Sequence, residues 1–242
     1  MSGHSKWNNI KHKKEKTDAQ KAKIFTKIGK EMVIAIKAGG PDPASNSKLR
    51  DLIAKAKANN VPNDNIERTI KKAAGQTDVE YEELRYEGYG PAGVAVIVNT
   101  TTDNRNRTAS EVRHYFDKFG GNLGQTGCVS YLFEEKGVII VLREDVDEDA
   151  LMEAALEAGA SDFVADEEVF EIYTEKDDLG TVREALEAAG YAIESAENSM
   201  IPSNYVTLEN EDDLKKMNLL IEHLEDNDDV QEIFHNCENC DA

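Results

Sequence analysis

Lysines at the start of the chain are the residues whose type and spacing point most directly to chemistry. Ten lysines lie between Lys6 and Lys37, against three acids in the same stretch. Ammonium groups neutralise phosphates and release the counterions that condense on nucleic acids. Trp7, the single tryptophan, lies among them, and an indole can stack on a base. The pattern favours binding of a phosphate backbone. The alternative for Trp7 is a hydrophobic lid folded back onto the first helix.

Charge divides the chain into two unequal parts. Residues 1–75 hold 17 Lys+Arg and 7 Asp+Glu, a net charge of +10, whereas residues 76–242 hold 11 and 41, a net charge of −30. A cationic end on an anionic body suits a polyanionic partner. Two alternatives stay open. The charges form a solvated face without a partner, or the basic end docks an acidic protein and the chain is a protein–protein adaptor.

The residues after Thr17 predict a helix with two different sides. Thr17-Asp-Ala-Gln20 fits a capping box, and Gly39-Gly40-Pro41 supplies the stop. Helical spacing predicts a packing face formed by Phe25, Ile28, Met32, Ala35 and Ile36. A narrow group of cations, called here the lysine stripe, falls on the opposite side and comprises Lys23, Lys27, Lys30 and Lys37.

Two further groups complete the candidate nucleic-acid site. An arm over residues 3–16 has no periodicity and contributes Lys6, Trp7, Lys11, His12, Lys13, Lys14 and Lys16. Arg105 and Arg107 lie where a predicted strand runs into a helix, which Thr108-Ala-Ser-Glu111 could cap. Arginines beside free helix N–H groups can hold a phosphate. The alternative is that they pair with acids of the body, although acidic pairs such as Asp228-Asp229 read most simply as solvated faces.

The elements that position these residues begin with a helical bundle. Three short amphipathic helices are predicted before Gly75, and they must pack together because none is stable alone. Further cations extend the positive surface of this bundle: Lys48, Arg50, Lys55, Lys57, Arg68, Lys71 and Lys72.

The remainder alternates strands and helices. Strands are predicted at 84–89, 94–99, 129–134, 138–142, 162–166, 169–174, 191–197, 204–208 and 229–235, and helices at 105–119, 147–158, 177–189 and 212–225. The order βαββαβ over 137–199 is ferredoxin-like, and the flanking elements form two halves of a second such unit. The expected fold is α+β, with an N-terminal three-helix domain followed by two ferredoxin-like domains, one inserted into the other. The expected domains are 1–75, 76–136 plus 200–242, and the insertion 137–199.

Long stretches of the chain resemble the YebC/PmpR family. The N-terminal SGHSKWNNIKHKKEKTDAQKAKIFTKIGKE and NNVPNDNIERTIKKAAG look like its signature, and YEGYGPAGVAVIVNTTTDNRNRTASEVRHYF and GGNLGQTGCVSYLF are similar to its middle segment. The family includes the mitochondrial translational activator of cytochrome c oxidase. The resemblance implies three domains. It also implies either a DNA-binding transcriptional regulator or a translation factor that associates with ribosomes, contacts ribosomal or transfer RNA, and relieves stalls at proline-rich sequences.

Other motifs in the sequence give little support for a further functional site. Gly88-Tyr-Gly-Pro-Ala-Gly93 has the letters of a dinucleotide loop, but a strand follows it instead of a helix, so a turn is expected. His235-Asn-Cys237-Glu-Asn-Cys240 lacks a clear fourth zinc ligand, and an exposed, unstructured cysteine pair is expected. No catalytic motif is found. We expect a non-enzyme with no catalytic residue, no metal, no cofactor and no small-molecule substrate.

Composition sets the expected compartment. The longest apolar runs, VAVIV and VIIVL, have the length of strands, so no membrane partner is expected. Three cysteines, an odd number, argue against a disulfide framework and for a reducing space. The N-terminus has no apolar segment typical of a secretory signal. The protein is expected in the cytoplasm.

Overall fold

A computed structural model describes residues 18–75 and 79–240. The arm, from Lys6 to Lys16, and the capping box that begins at Thr17 lie outside these residues, so the predictions made for them stay predictions.

The N-terminal helices form the predicted bundle. They are α1 (Asp18–Gly39), α2 (Ser47–Ala58) and α3 (Asn63–Ala74). Their core is apolar and includes Ile28, Met32, Ala35, Ile36, Leu49, Leu52, Ala56 and Ile66, which confirms the packing face of the first helix. Asn46 joins two helices, because its side chain accepts from the Leu49 N–H at the start of α2 and donates to the Ala35 carbonyl of α1.

The first sheet carries two helices on one face. Its strands, in the spatial order β3-β1-β2-β8, are β1 (Glu82–Tyr89), β2 (Ala95–Thr102), β3 (Asn122–Leu123) and β8 (Val230–His235). Every neighbouring pair is antiparallel. The helices are α4 (Arg105–Lys118) and α7 (Glu211–Asp226). Val96 and Val98 pack against Phe116 and Met217 of these helices, which holds α4 and α7 to the sheet.

The second sheet is formed entirely by residues that lie between β3 and α7 in sequence. Its strands, in the order β5-β6-β4-β7, are β4 (Phe133–Leu142), β5 (Asp162–Ala165), β6 (Val169–Glu175) and β7 (Ser195–Pro202). The helices α5 (Glu148–Ala158) and α6 (Leu179–Ala188) cover one face. This is the predicted βαββαβ unit.

The expected fold class is confirmed: a helical region is followed by two α+β units, one inserted into the other. Both sheets place a central antiparallel pair between two outer strands. The first sheet reaches this arrangement in a different chain order, because its central pair is the hairpin β1–β2.

Three strand predictions were wrong. Residues 129–134 and 138–142 are not two strands: β4 runs unbroken through Glu134-Glu135-Lys136, because these polar residues pair with β7, and Lys136 also with β6. The strand predicted at 191–197 lies instead at Ser195–Pro202, where it pairs with β4 from Phe133 to Ile140. Residues 204–208 form no strand and make a single parallel bridge, from Val206 to Cys237.

The cysteine prediction was also wrong. Cys237 and Cys240 form a disulfide bond, and Cys237 is only 1% exposed. The pair is ordered because the backbone around it is held. Asn236 Oδ1 accepts from the Ala95 N–H, and Asn239 bonds the backbone of Leu208 through both its amide oxygen and its amide nitrogen.

We predict that residues 133–202 fold alone, because the chain enters and leaves this unit side by side: the Ser203 N–H donates to the Leu132 carbonyl at 2.8 Å. A fragment trimmed to 137–199 loses the pairing between Phe133 and Pro202 and the pairs that follow it. The trimmed fragment should lose about 1 kcal/mol or more, lowering the thermal midpoint by about 4–8 °C. Circular dichroism melts of both fragments measure this. Equal midpoints would contradict it.

Candidate nucleic-acid interface

The lysine stripe lies opposite the packing face of α1, as predicted. There it contacts residues that follow the bundle in sequence, most of them at the end of α7. Lys23 Nζ lies 2.7 Å from Asp226 Oδ1, at the end of α7. Lys27 Nζ donates to the Glu225 carbonyl at 2.7 Å. The stripe is therefore partly occupied by acceptors of the chain itself.

Lys30 is largely enclosed by its partners. Its ammonium donates to the Asp228 carbonyl at 2.8 Å and to Asp229 Oδ1 at 2.6 Å. The side chains of Lys30 and Asp229 are 12% and 5% exposed. Lys37, at the other end of the stripe, is exposed and donates to the Val79 carbonyl at 2.7 Å.

The surface that receives the stripe is the C-terminal end of α7 and the residues that follow it. We call it the acidic terminus of α7; it comprises Glu225, Asp226, Asp228 and Asp229. The last carbonyls of a helix have no partner within it and carry a partial negative charge. Carboxylates at this position add to that charge, so the terminus needs cations. The stripe supplies them.

Asp229 is the centre of this contact. Apart from Lys30, its carboxylate accepts from Arg107 Nη2 at 2.7 Å, from Thr108 Oγ1 at 2.8 Å and from Thr102 Oγ1 at 3.1 Å. Burial raises the pKa of Asp229, but the hydrogen bonds from Lys30, Arg107 and Thr108 outweigh it and lower this pKa to about 2. The carboxylate is charged at neutral pH.

Arg107 and Arg105 differ in their surroundings. Arg107 also lies 2.9 Å from Asp103, and its hydrogen bonds to Asp229 and then to Asp103 raise the pKa of the guanidinium. The alternative raised from the sequence, pairing with acids of the body, thus describes Arg107. Arg105 is exposed and has no hydrogen bond or ion pair with the residues that the structure describes.

The predicted cap of α4 was wrong. The helix begins at Arg105, and Asn104 caps it by accepting from the Arg107 N–H at 3.1 Å. Thr108 is buried inside the first turn and donates to Asp229. The capping-box letters at Thr108 and Glu111 lie four residues too late because Asn104 already satisfies the helix start.

Four exposed cations of the bundle have no partner among the described residues. They have no hydrogen bond or ion pair within residues 22–75 and 79–240, and they are Arg50, Lys57, Arg68 and Lys72. Arg50 and Lys57 are seven residues apart on α2, and Arg68 and Lys72 are four apart on α3, so each pair shares one side of its helix. By contrast, Lys48 pairs with Glu83, Lys55 with Glu31 and Lys71 with Glu67.

Sequence reasoning missed Asp229. The pair Asp228-Asp229 was predicted to be a solvated face, which is wrong for Asp229, since it is 4% exposed. A signal was present in the sequence: carboxylates gathered at a helix C-terminus oppose the helix dipole. Such a cluster requires cations from elsewhere in the protein or in a partner.

Comparison with known proteins matches both parts of the chain to one family. Residues 5–76 match the model described as the TACO1/YebC protein N-terminal domain, and residues 81–237 match that of the TACO1/YebC second and third domain. A protein of Acetivibrio thermocellus named a probable transcriptional regulatory protein is 62% identical over 238 residues, covering 98% of both chains. A protein of Caldicellulosiruptor saccharolyticus with the same name is 60% identical over 240 residues, covering 98% of this chain and 99% of its own.

A solved structure is similar as well. The crystal structure of a conserved hypothetical protein from Aquifex aeolicus superposes with a TM-score of 0.82 at 50% identity, covering 92% of each chain. Within the described residues, no helix is long and apolar enough to cross a membrane. The same residues contain no group of three or more His, Cys, Asp or Glu side chains placed to hold a metal ion.

We predict that replacing Asp229 by Ala destabilises the protein by about 3–5 kcal/mol, because it leaves Lys30 without its carboxylate and Arg107 with only the exposed Asp103. The control is Asp226→Ala, whose partner Lys23 is 39% exposed and whose own side chain is 65% exposed. That change should cost about 1 kcal/mol or less. Urea unfolding measures both. Similar losses in the two variants would show that Asp229 is not the centre of the contact.

The same carboxylate predicts a pH dependence. Its pKa is lowered from an ordinary value of 3.8 to about 2. The stability it contributes is complete above about pH 4 and is lost as the pH falls through about 2, because the unfolded chain binds the proton more readily. The difference in unfolding free energy between wild type and Asp229→Asn should therefore shrink as the pH falls from about 5 towards 2. A difference that stays constant over this range would contradict the assignment.

Proposed function

This chain belongs to the TACO1/YebC family, as its sequence resemblance indicated, and from that premise we propose that it is a non-catalytic, nucleic-acid-binding regulator of gene expression. It acts in the cytoplasm and holds the phosphate backbone with cations of its N-terminal region. Neither a small-molecule substrate nor a cofactor is part of this proposal.

The observation that carries the proposal is the set of four exposed cations on α2 and α3, which find no partner among the residues described. The rest of the chain is strongly acidic, with a net charge of −30 after residue 75. Yet that acidic body pairs with the lysine stripe and leaves Arg50, Lys57, Arg68 and Lys72 exposed. Cations kept free beside so many acids are suited to a polyanion from outside.

The chemistry of these groups favours contact with the backbone over reading of bases. Lysine ammonium groups act as point charges on phosphates, and phosphate contacts position a protein without specifying a sequence. The arm, from Lys6 to Lys16, and Arg105 are proposed to add contacts of the same kind, and Trp7 to stack on a base. Among the residues predicted to contact nucleic acid, Arg107 is the least available for a phosphate, because it already pairs with two carboxylates.

Two settings fit this chemistry. Relatives named probable transcriptional regulatory proteins suggest DNA as the polymer. The family resemblance also suggests a ribosome-associated factor that contacts RNA and relieves stalling at proline-rich sequences. DNA and RNA present the same phosphates, so both settings belong to the proposal, and binding measured in parallel on duplex DNA and on ribosomes separates them.

We predict that changing all four exposed cations of α2 and α3 to Gln flattens the dependence of log affinity on log salt. Each lost phosphate contact should remove about 0.7 from the slope on a single strand and about 0.9 on a duplex, so four contacts remove roughly 3 to 4. Stability should barely change, since Gln, Lys and Arg have similar helix propensities and these side chains have no described partners. Titrations across a range of salt measure the slope.

The matched control removes four cations from the acidic body, which lie on exposed or half-exposed surface: Lys118, Lys176, Arg183 and Lys215. Both variants carry the same net charge, so a general charge effect would weaken binding equally. An equal change in slope for the two variants would remove the α2–α3 surface from the mechanism. Salt-sensitive binding to acidic proteins, with none to nucleic acid, would favour the adaptor alternative.

A further inference from the structure

We propose that the lysine stripe is held in reserve by the acidic terminus of α7, and that nucleic-acid phosphates displace this terminus and release the stripe for binding. This inference rests on the proposed function, and it describes how the same N-terminal site is regulated. The docked state is the arrangement in the structure, with Lys23, Lys27 and Lys30 on the terminus.

The contacts that hold the docked state are polar. The apolar core of the bundle contains only residues of α1, α2, α3 and the turns between them, from Ile24 to Ala73. The cores of the two sheets contain no residue of the bundle. Separating the bundle from the sheets therefore leaves every described apolar core intact, and such polar interfaces between domains commonly permit relative motion.

Asp229 stays neutralised when the bundle leaves. Breaking an enclosed ion pair is costly when it strands a charge without a partner. Here the Asp229 carboxylate keeps Arg107, Thr108 and Thr102, none of which belongs to the bundle. Only the contact to Lys30 is lost, and the released ammonium is then free to meet a phosphate.

Phosphates compete well for the remaining contacts. Lys27 donates to the Glu225 carbonyl, and the Lys23–Asp226 pair is exposed enough for salt to screen it. A phosphate backbone offers a full negative charge to each ammonium and releases counterions as it binds. A polyanion can therefore compete with the exposed acceptor that the chain offers to Lys23.

A carbodiimide cross-link tests the docked state directly in the full-length protein. The reagent activates the Asp226 carboxyl, Lys23 Nζ attacks it, and an amide forms as the activated oxygen leaves in the urea. The internal control is Lys216 and Asp212, which lie at the same 2.7 Å but both on α7. Mass spectrometry of the linked peptides quantifies both amides, with and without short mixed-sequence RNA or duplex DNA.

We predict that saturating nucleic acid lowers the Lys23–Asp226 yield several-fold and leaves the Lys216–Asp212 yield unchanged. If the protein binds nucleic acid in a salt-dependent way but neither amide yield changes, the stripe is not released. That result would overturn this inference and leave the proposed function standing. No Lys23–Asp226 amide in the free protein would overturn the docked state itself. An absence of salt-dependent binding to either polymer would overturn the proposed function and this inference together.

The cross-linked protein gives a second readout, because its stripe cannot leave. Its slope of log affinity against log salt should be shallower by about 2 to 3 than that of untreated protein, the value for three lost phosphate contacts. Lys23→Gln protein treated with the same reagent controls for other modification, since it cannot form this amide. Equal slopes for cross-linked and untreated protein would overturn the inference.

Discussion

The Asp229 carboxylate brings together α1, the segment 102–108 and its own segment after α7, which are far apart in sequence, and the contact between the bundle and the first sheet is centred on it. It accepts from Lys30 of α1, from Arg107 and Thr108 in the first turn of α4, and from Thr102 at the end of β2. A buried charge is tolerated only with such a set of donors. One side chain therefore links the start of α4 to the bundle, beside the apolar packing that holds α4 to its sheet.

The cationic and anionic parts of the sequence are partly brought together by folding. Seen in order, a cationic end precedes an anionic body; in the folded protein α1 lies against the acidic terminus of α7. That contact satisfies helix carbonyls that would otherwise repel the carboxylates beside them. In the proposed function the body therefore competes with the nucleic acid for α1, and the affinity would reflect the difference between the two sets of contacts.

Much of the fold follows from the sequence because its helices are strongly periodic. Ile28, Met32 and Ile36 recur at helical spacing, and all three are buried in the bundle. Strand limits were less predictable. The polar run through Glu135 reads as a turn, yet pairing with β7, and with β6 at its end, carries β4 straight through it. Local pattern cannot show this, because the partners lie more than thirty residues away.

The sequence predicted which residues share the cationic side of α1, but it did not predict what those residues contact in the folded protein. Periodicity placed Lys23, Lys27 and Lys30 on one side of α1, opposite its packing face, and the structure agrees. It could not say whether that side meets solvent or another part of the chain, because helical spacing describes one helix alone. The start of α4 shows the same limit at shorter range. Asn104 and Thr108 both have side chains that can cap a helix, and the sequence alone did not show that the helix begins at Arg105.

The two junctions of the protein differ in kind, and this difference indicates which part can move. The inserted sheet meets its host through apolar side chains, since Phe133 and Met200 pack in one cluster with Ile97 and Val129. Separating them would expose that cluster to water, at about 25 cal/mol for each Å² of apolar surface. The bundle meets the same host through ion pairs and carbonyl contacts, which salt and polyanions weaken. The sheets thus form the fixed part of the molecule, and the bundle, which carries the free cations, is the part that ionic conditions can release.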